Sequence, residues 1–227
     1  MLFRQLFDSD SSTYTYLLAS RAGGEGLIID PVKEHAEEYL QLIEQLGVKL
    51  VIAIDTHTHA DHVTALGDLR TATHCVTWMG ERTKAECVSA QFKDGQSLGF
   101  DGVKLRAMYT PGHTDESFSL VMSDRVFTGD ALLIRGTGRT DFQNGDSFAA
   151  YDSLFNKLLK LPDETLVYPA HDYKGWTVST IGEERRHNPR LQVKSAAEYA
   201  KLMASLKLPN PKLMDIAVTA NLRCGGP

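Results

Sequence analysis

The sequence predicts a layered α/β protein, with helices packed outside sheets. Short apolar β-type runs bounded by Gly, Pro or Asp recur along the chain, and amphipathic helical stretches interrupt them. Several of those runs end in His or Asp, residue types that a buried strand does not need for packing. With 227 residues, 42% of them hydrophobic and 23% charged, the composition suits one large globular domain with a filled core.

From the N-terminus, TYTYLLAS (13–20) and GLIIDP (26–31) read as two strands around a Gly-rich turn. Residues 34–46 read as a helix, with Leu40, Leu42, Ile43 and Leu46 near one face and Gly47 as its stop. The run Leu50-Val51-Ile52-Ala53-Ile54 is a strand, and a helix is expected from about Asp61 to Leu69. CVTW, VKLRAMYTP, SFSLVMS and RVFTGD are further strands. FAAYDSLFNKLLKL (148–161) is an amphipathic helix ended by Pro162, and TLVYPAHD (165–172) is a strand that runs into a histidine. From about Ile181 the chain is largely helical and polar, with SAAEYAKLMASL (195–206) its best helix.

Several function classes are disfavoured. No apolar run approaches the roughly 20 residues of a membrane-spanning helix. The start, MLFRQLFDSDSSTYTY, has no basic segment followed by an apolar one and so reads as neither secretion signal nor organellar leader. A net charge of −5 argues against bulk nucleic-acid binding. Cys75, Cys87 and Cys224 form an odd set without CxxC spacing, so no disulfide framework is expected. A reducing compartment is the natural inference: the cytoplasm, or an organellar matrix if a leader has been removed.

The chemistry concentrates in THTHADH, residues 56–62, which puts His57, His59, Asp61 and His62 directly after a buried strand. Imidazole and carboxylate are ligands for zinc, iron or manganese, and a strand end holds them rigidly. Three later strands end alike: YTPGHT places His113 after the Pro111-Gly112 turn, VFTGDALL places Asp130 after Gly129, and VYPAHD places His171 after Pro169. Singly each is weak. In this order, they resemble the metallo-β-lactamase superfamily over most of residues 10–175. That resemblance implies an αββα sandwich of two mixed sheets flanked by helices. It also implies a single domain over residues 1–227, with a short helical C-terminal extension from about residue 180. In two-metal members of the superfamily His57, His59 and His113 would hold one ion, Asp61, His62 and His171 the other, and Asp130 would bridge them. A hydroxide between two such ions is a hydrolytic nucleophile.

LLIRGTGRTDFQ (132–143), HDYKG (171–175), EERRHNPRL (183–191) and NLRCGG (221–226) narrow the resemblance to the persulfide dioxygenases, or sulfur dioxygenases. It implies oxidation of glutathione persulfide by O2 to sulfite and glutathione, at one Fe(II) per chain. The implied iron ligands are His57, His113 and Asp130, with no catalytic side chain beyond the metal site. His59, Asp61, His62 and His171 then either orient the iron ligands through hydrogen bonds or form a conditional second site. Tyr173, Arg190 and Asn221 are implied as glutathione contacts, with Arg139 as a contact or a structural tie. A homodimer is also implied. Thr137 stands where many relatives carry Cys in the GxGRTDFQ loop. The alternative is a dinuclear hydroxyacylglutathione hydrolase of glyoxalase II type, a family that usually carries a longer helical C-terminal region. Only 56 residues follow His171 here, which favours the dioxygenase.

Overall fold

A computed structural model describes residues 1–210 and 213–226. They form two six-stranded mixed sheets with six α-helices. The first sheet has the order β1 (Leu2–Asp8), β2 (Thr13–Ala19), β3 (Glu25–Ile29), β4 (Lys49–Ile54), β5 (Val76–Gly80), β6 (Ala90–Phe92). Its first three strands are antiparallel and β3 to β6 run parallel. The second sheet has the order β12 (Ser179–Thr180), β11 (Leu166–Pro169), β10 (Arg125–Gly129), β9 (Phe118–Val121), β8 (Val103–Tyr109), β7 (Ser97–Phe100). Parallel neighbours need crossover connections. These are supplied in the first sheet by α1 (Ala36–Gln45) and α2 (Leu66–Thr73). Between β10 and β11 the crossover holds α3 (Ser147–Asp152). The remaining helices are α4 (Ile181–His187), α5 (Ala196–Ser205) and α6 (Met214–Asn221).

The described residues divide into two compact units. One comprises residues 1–93, 97–105 and 210–226, the other 94–96 and 106–209. In the first, every residue of β2 is buried, as expected of a strand covered on both faces, whereas β1 lies at the sheet edge and is mostly half-exposed. The core here joins Leu17, Ile28, Leu50 and Ala53 of the strands to Tyr39, Ile43, Leu66 and Leu69 of α1 and α2. In the second, Val126 and Val167 of β10 and β11 pack with Leu154, Leu158, Ile181, Tyr199 and Met203. The segment expected as one C-terminal extension is therefore shared: α4 and α5 belong to the second unit and α6 to the first.

Three expectations are corrected. The helix expected from Asp61 begins only at Leu66, because the backbone before it is engaged elsewhere. Thr64 bridges Val32, and the Ala65 N–H donates to the Pro31 carbonyl. The helix expected over 148–161 is α3, capped by Asp146, which gives way to a π-helical turn (Ser153–Lys157) and a 3-10 turn (Leu158–Lys160). Cys87 and Cys224, expected to be unpaired, form a disulfide with an S–S distance of 2.12 Å. Their separation of 137 residues hides the pairing from any reading of local spacing. Cys75 is buried and reduced.

Candidate metal centre

In the first unit, β3 and β4 are parallel and Ile29 pairs with Ile54, so Asp30 and Asp55 leave the sheet side by side at its carboxyl edge. The carboxyl ends of strands are where α/β folds place ligands. The buried Asp30 organises the start of the histidine loop. Its Oδ1 accepts from the Thr56 N–H at 2.7 Å and meets His59 Nε2 at 3.1 Å, while its Oδ2 accepts from the Thr56 hydroxyl at 3.0 Å. The Thr56 proton thus goes to Asp30, and its oxygen, 3.0 Å from His57 Nδ1, accepts from that ring. This fixes the His57 tautomer and makes Nε2 the nitrogen that can ligate a metal. His62 Nδ1 lies 3.1 Å from Asp61 Oδ2 and 3.2 Å from the Thr13 hydroxyl. Burial pushes the Asp30 carboxyl up from the usual range, opposed by His57 and the Thr56 hydrogen bonds. One ligand-type atom each from Asp30, Asp55 and His59 lies within 4.8 Å of the others.

In the second unit, parallel β10 and β11 end in register at Gly129 and Pro169, which sets Asp130 and His171 next to each other. Asp130 Oδ1 accepts from His171 Nδ1 at 2.6 Å, and its Oδ2 lies 3.6 Å from His113 Nε2. Two ligands of one transition-metal ion, with bonds of about 2 Å, can span such a distance. His113 follows β8, which runs parallel to β10 because both pair antiparallel with β9. Its Nδ1 donates to the Arg139 carbonyl at 2.9 Å, so this ring also turns Nε2 toward the carboxylate. Gly138 allows that approach: a Cβ there would stand 2.2 Å from the Asp130 carbonyl oxygen and 2.9 Å from the His113 ring. Two imidazoles and a carboxylate with fixed tautomers are the donor set of a non-haem Fe(II) centre, so His57, His113 and Asp130 fit that ion chemically.

The residues expected to meet glutathione occupy different settings. Tyr173 is 71% exposed, with its ring parallel to that of His171. Arg139 forks onto Asp141 at 2.7 and 3.0 Å and donates to the Pro209 carbonyl at 2.9 Å, which makes it a loop tie. Arg190 is half-buried and donates to the Thr137 carbonyl, and no acidic side chain pairs with it among the described residues. Burial lowers its guanidinium pKa while Tyr199 and Tyr173 raise it. Asn221 is 3% exposed, and its amide hydrogen bonds run to the His59 and His62 carbonyls and the Thr64 N–H. Arg135, Arg185 and Arg186, like Arg139, are paired with carboxylates.

Sequence reasoning missed Asp30, although IIDP carries the strand-then-acid pattern that marked Asp130. It also missed the role of the fully buried Glu184, which accepts from the Arg135 N–H and the Asn188 amide, both at 2.8 Å, and from Ser179 at 2.6 Å. No local pattern distinguishes that glutamate from its neighbour Glu183 in EERRHNPRL.

The family model of the metallo-beta-lactamase superfamily matches residues 9–171. The mitochondrial persulfide dioxygenase ETHE1 of Mus musculus is 47% identical over 99% of this chain and 89% of its own length, and that of Homo sapiens is 46% identical over the same shares. The crystal structure of ETHE1 from Myxococcus xanthus superposes with a TM-score of 0.96 at 52% identity, covering 99% of this chain and all of that one. The chain belongs to the persulfide dioxygenase family of the metallo-β-lactamase superfamily.

Proposed function

We propose that this protein is a persulfide dioxygenase that oxidises glutathione persulfide with O2 at a single Fe(II) held by His57, His113 and Asp130. The observation that supports it best is near-full-length identity of 46–47% to relatives named as persulfide dioxygenases. One persulfide, one O2 and one water give one thiol and one sulfurous acid, which leaves as sulfite and two protons. Fe(II), when bound, supplies the electrons that O2 activation needs and zinc lacks.

The protein's own residues orient and bind. Thr56 and the Arg139 carbonyl hold the two imidazoles in the tautomers that face Nε2 inward. His171 occupies one oxygen of Asp130, which favours a carboxylate serving one ion over one bridging two. His59, Asp61 and His62 act as hydrogen-bonded support for the loop, His59 through Asp30 and His62 through Asp61 and Thr13. Glutathione carries two carboxylates, and Arg190 is the cation suited to one of them: half-buried, with its charge not neutralised by an acid among the described residues. Lys174 stands exposed two residues after Asp172 and can meet the other. Tyr173 offers its exposed ring to the apolar part of the peptide. Arg139 steadies the loop that carries the His113 acceptor, and Asn221 commits its amide to the loop of residues 59–64.

No described helix is long and apolar enough to cross a membrane, and the named mammalian relatives are mitochondrial. A matrix-type or cytoplasmic compartment and a homodimeric assembly are the setting we propose. The test is metal analysis with O2 uptake on purified protein. One iron per chain and oxygen consumption driven by glutathione persulfide are expected. Two zinc-type ions, cleavage of a glutathione thioester and no O2 uptake would instead make it a dinuclear hydrolase.

A further inference from the structure

The segment from Asn221 to Gly226 lies along the loop that carries His57, His59, Asp61 and His62, within the first unit. Residues 55–63 of that loop belong to no helix or strand, so its backbone polar groups need partners from elsewhere. A single side chain supplies three. Asn221 Nδ2 donates to the carbonyls of His59 and His62, each at 2.9 Å, and Oδ1 accepts from the Thr64 N–H at 2.8 Å. Only a primary amide offers two donors and an acceptor from one planar head. A carboxylate of the same shape would put negative charge against two carbonyl oxygens.

The residues after Asn221 are fastened to the same unit at three points. The Cys224 carbonyl accepts from the Gly67 N–H at 3.0 Å, an approach so close that a Cβ on Gly67 would stand 2.6 Å from that oxygen. The Gly225 carbonyl accepts from Lys33 Nζ at 2.8 Å, and the same ammonium pairs with Asp68 at 2.9 Å. The third fastening is covalent, the bond from Cys224 to Cys87. Cys224 is buried but Cys87 is only partly so, which gives a reductant a side from which to approach.

Resting on the reading that this loop supplies an iron ligand, we infer that Asn221 is a positioning residue for the metal-ligand loop and that the Cys87–Cys224 disulfide makes its hold redox-dependent. With the bond closed, the strap keeps the amide on the loop. A dithiol that passes its two hydrogens to the sulfurs of Cys87 and Cys224, and closes to its own disulfide, leaves the strap held by hydrogen bonds alone. The loop then samples conformations in which His57 is displaced from the position that Thr56 and Asp30 set for it.

The experiment is backbone hydrogen exchange over residues 56–64 of the full chain, with and without Fe(II), together with iron retention against a chelator and steady-state kinetics. In Asn221→Ala and Asn221→Asp we expect exchange of that loop at least tenfold faster, iron lost at least tenfold faster, and a lower kcat with KM for glutathione persulfide within twofold. A packing role alone would leave the near-isosteric Asn221→Asp like the parent protein. Unchanged loop exchange with a raised KM would identify the amide as a glutathione contact and overturn the inference. Wild-type protein reduced with dithiothreitol should show the same direction of change, and Cys87→Ser should show it without reductant and respond no further. If thiol titration records two new thiols and loop exchange does not move, the redox part fails. The exchange readout needs no iron, so it stands apart from the dioxygenase assignment. Reduction of the wild type tests the strap even if a variant does not fold.

Discussion

Asp130 divides its two carboxylate oxygens between two histidines, and that division sorts their roles. Oδ1 is held by His171 Nδ1 at 2.6 Å, whereas Oδ2 lies 3.6 Å from His113 Nε2, too long for a hydrogen bond and suited to sharing an ion. His113 has its Nδ1 fixed by a backbone carbonyl, which suits the ligand role proposed for it, while His171 on Oδ1 suits that of a group aiming the carboxylate. His113→Ala is therefore expected to leave the protein without bound iron. His171→Ala should retain iron with affinity lowered by about 10–100-fold, the usual cost of losing a partner behind a ligand. Iron per chain after a graded chelator challenge reads the difference. Equal and complete loss from both variants would argue that His171 is itself a ligand.

At the scale of elements, the loop of residues 132–143 depends on α4 for its shape. Arg135 has a φ of 56°, a left-handed conformation uncommon for a residue with a side chain. Glu184 stabilises it by accepting from both the Arg135 N–H and its guanidinium, with Ser179 and the Asn188 amide as further donors. Asn188 in turn donates to the Gly136 carbonyl at 2.8 Å. Glu184→Ala removes the acceptor of four donors and leaves a guanidinium 19% exposed with Glu183, at 3.5 Å, as its remaining carboxylate partner among the described residues. Breaking a buried pair from one side costs about 3–5 kcal/mol. The denaturation midpoint of Glu184→Ala, followed by near-ultraviolet dichroism, should fall accordingly, and a loss below about 1 kcal/mol would mean that the network is redundant. This also explains why EERRHNPRL carries family information although it lies far in sequence from the proposed metal ligands: it shapes the loop whose Arg139 carbonyl accepts from His113.

For the molecule as a whole, what was legible in the sequence is what repeats locally. Strands that end in His or Asp marked the ligand candidates, and the apolar runs of β2, β3, β4, β10 and β11 lie where they were expected. What stayed hidden depends on contacts distant in sequence. β1 alternates too weakly for a sheet edge to be recognised, β6 has three residues, and the Cys87–Cys224 bond spans 137 positions. Asn221, expected as a substrate contact, has its amide on the loop of residues 59–64, a partner that no local pattern shows. The proposed iron set is likewise scattered along the sequence, at positions 57, 113 and 130. An ion bound by that set would stabilise the folded chain, because it binds the native state and not the unfolded one. At 100-fold excess over Kd, such linkage is worth about 2.7 kcal/mol. In a chain of this size that corresponds to a Tm raised by about 5–10 °C. Calorimetry of protein stripped by chelation and reloaded anaerobically with Fe(II) should show this rise, and His113→Ala should abolish it. A rise of the same size in His113→Ala would place the stabilising ion at a different set of ligands.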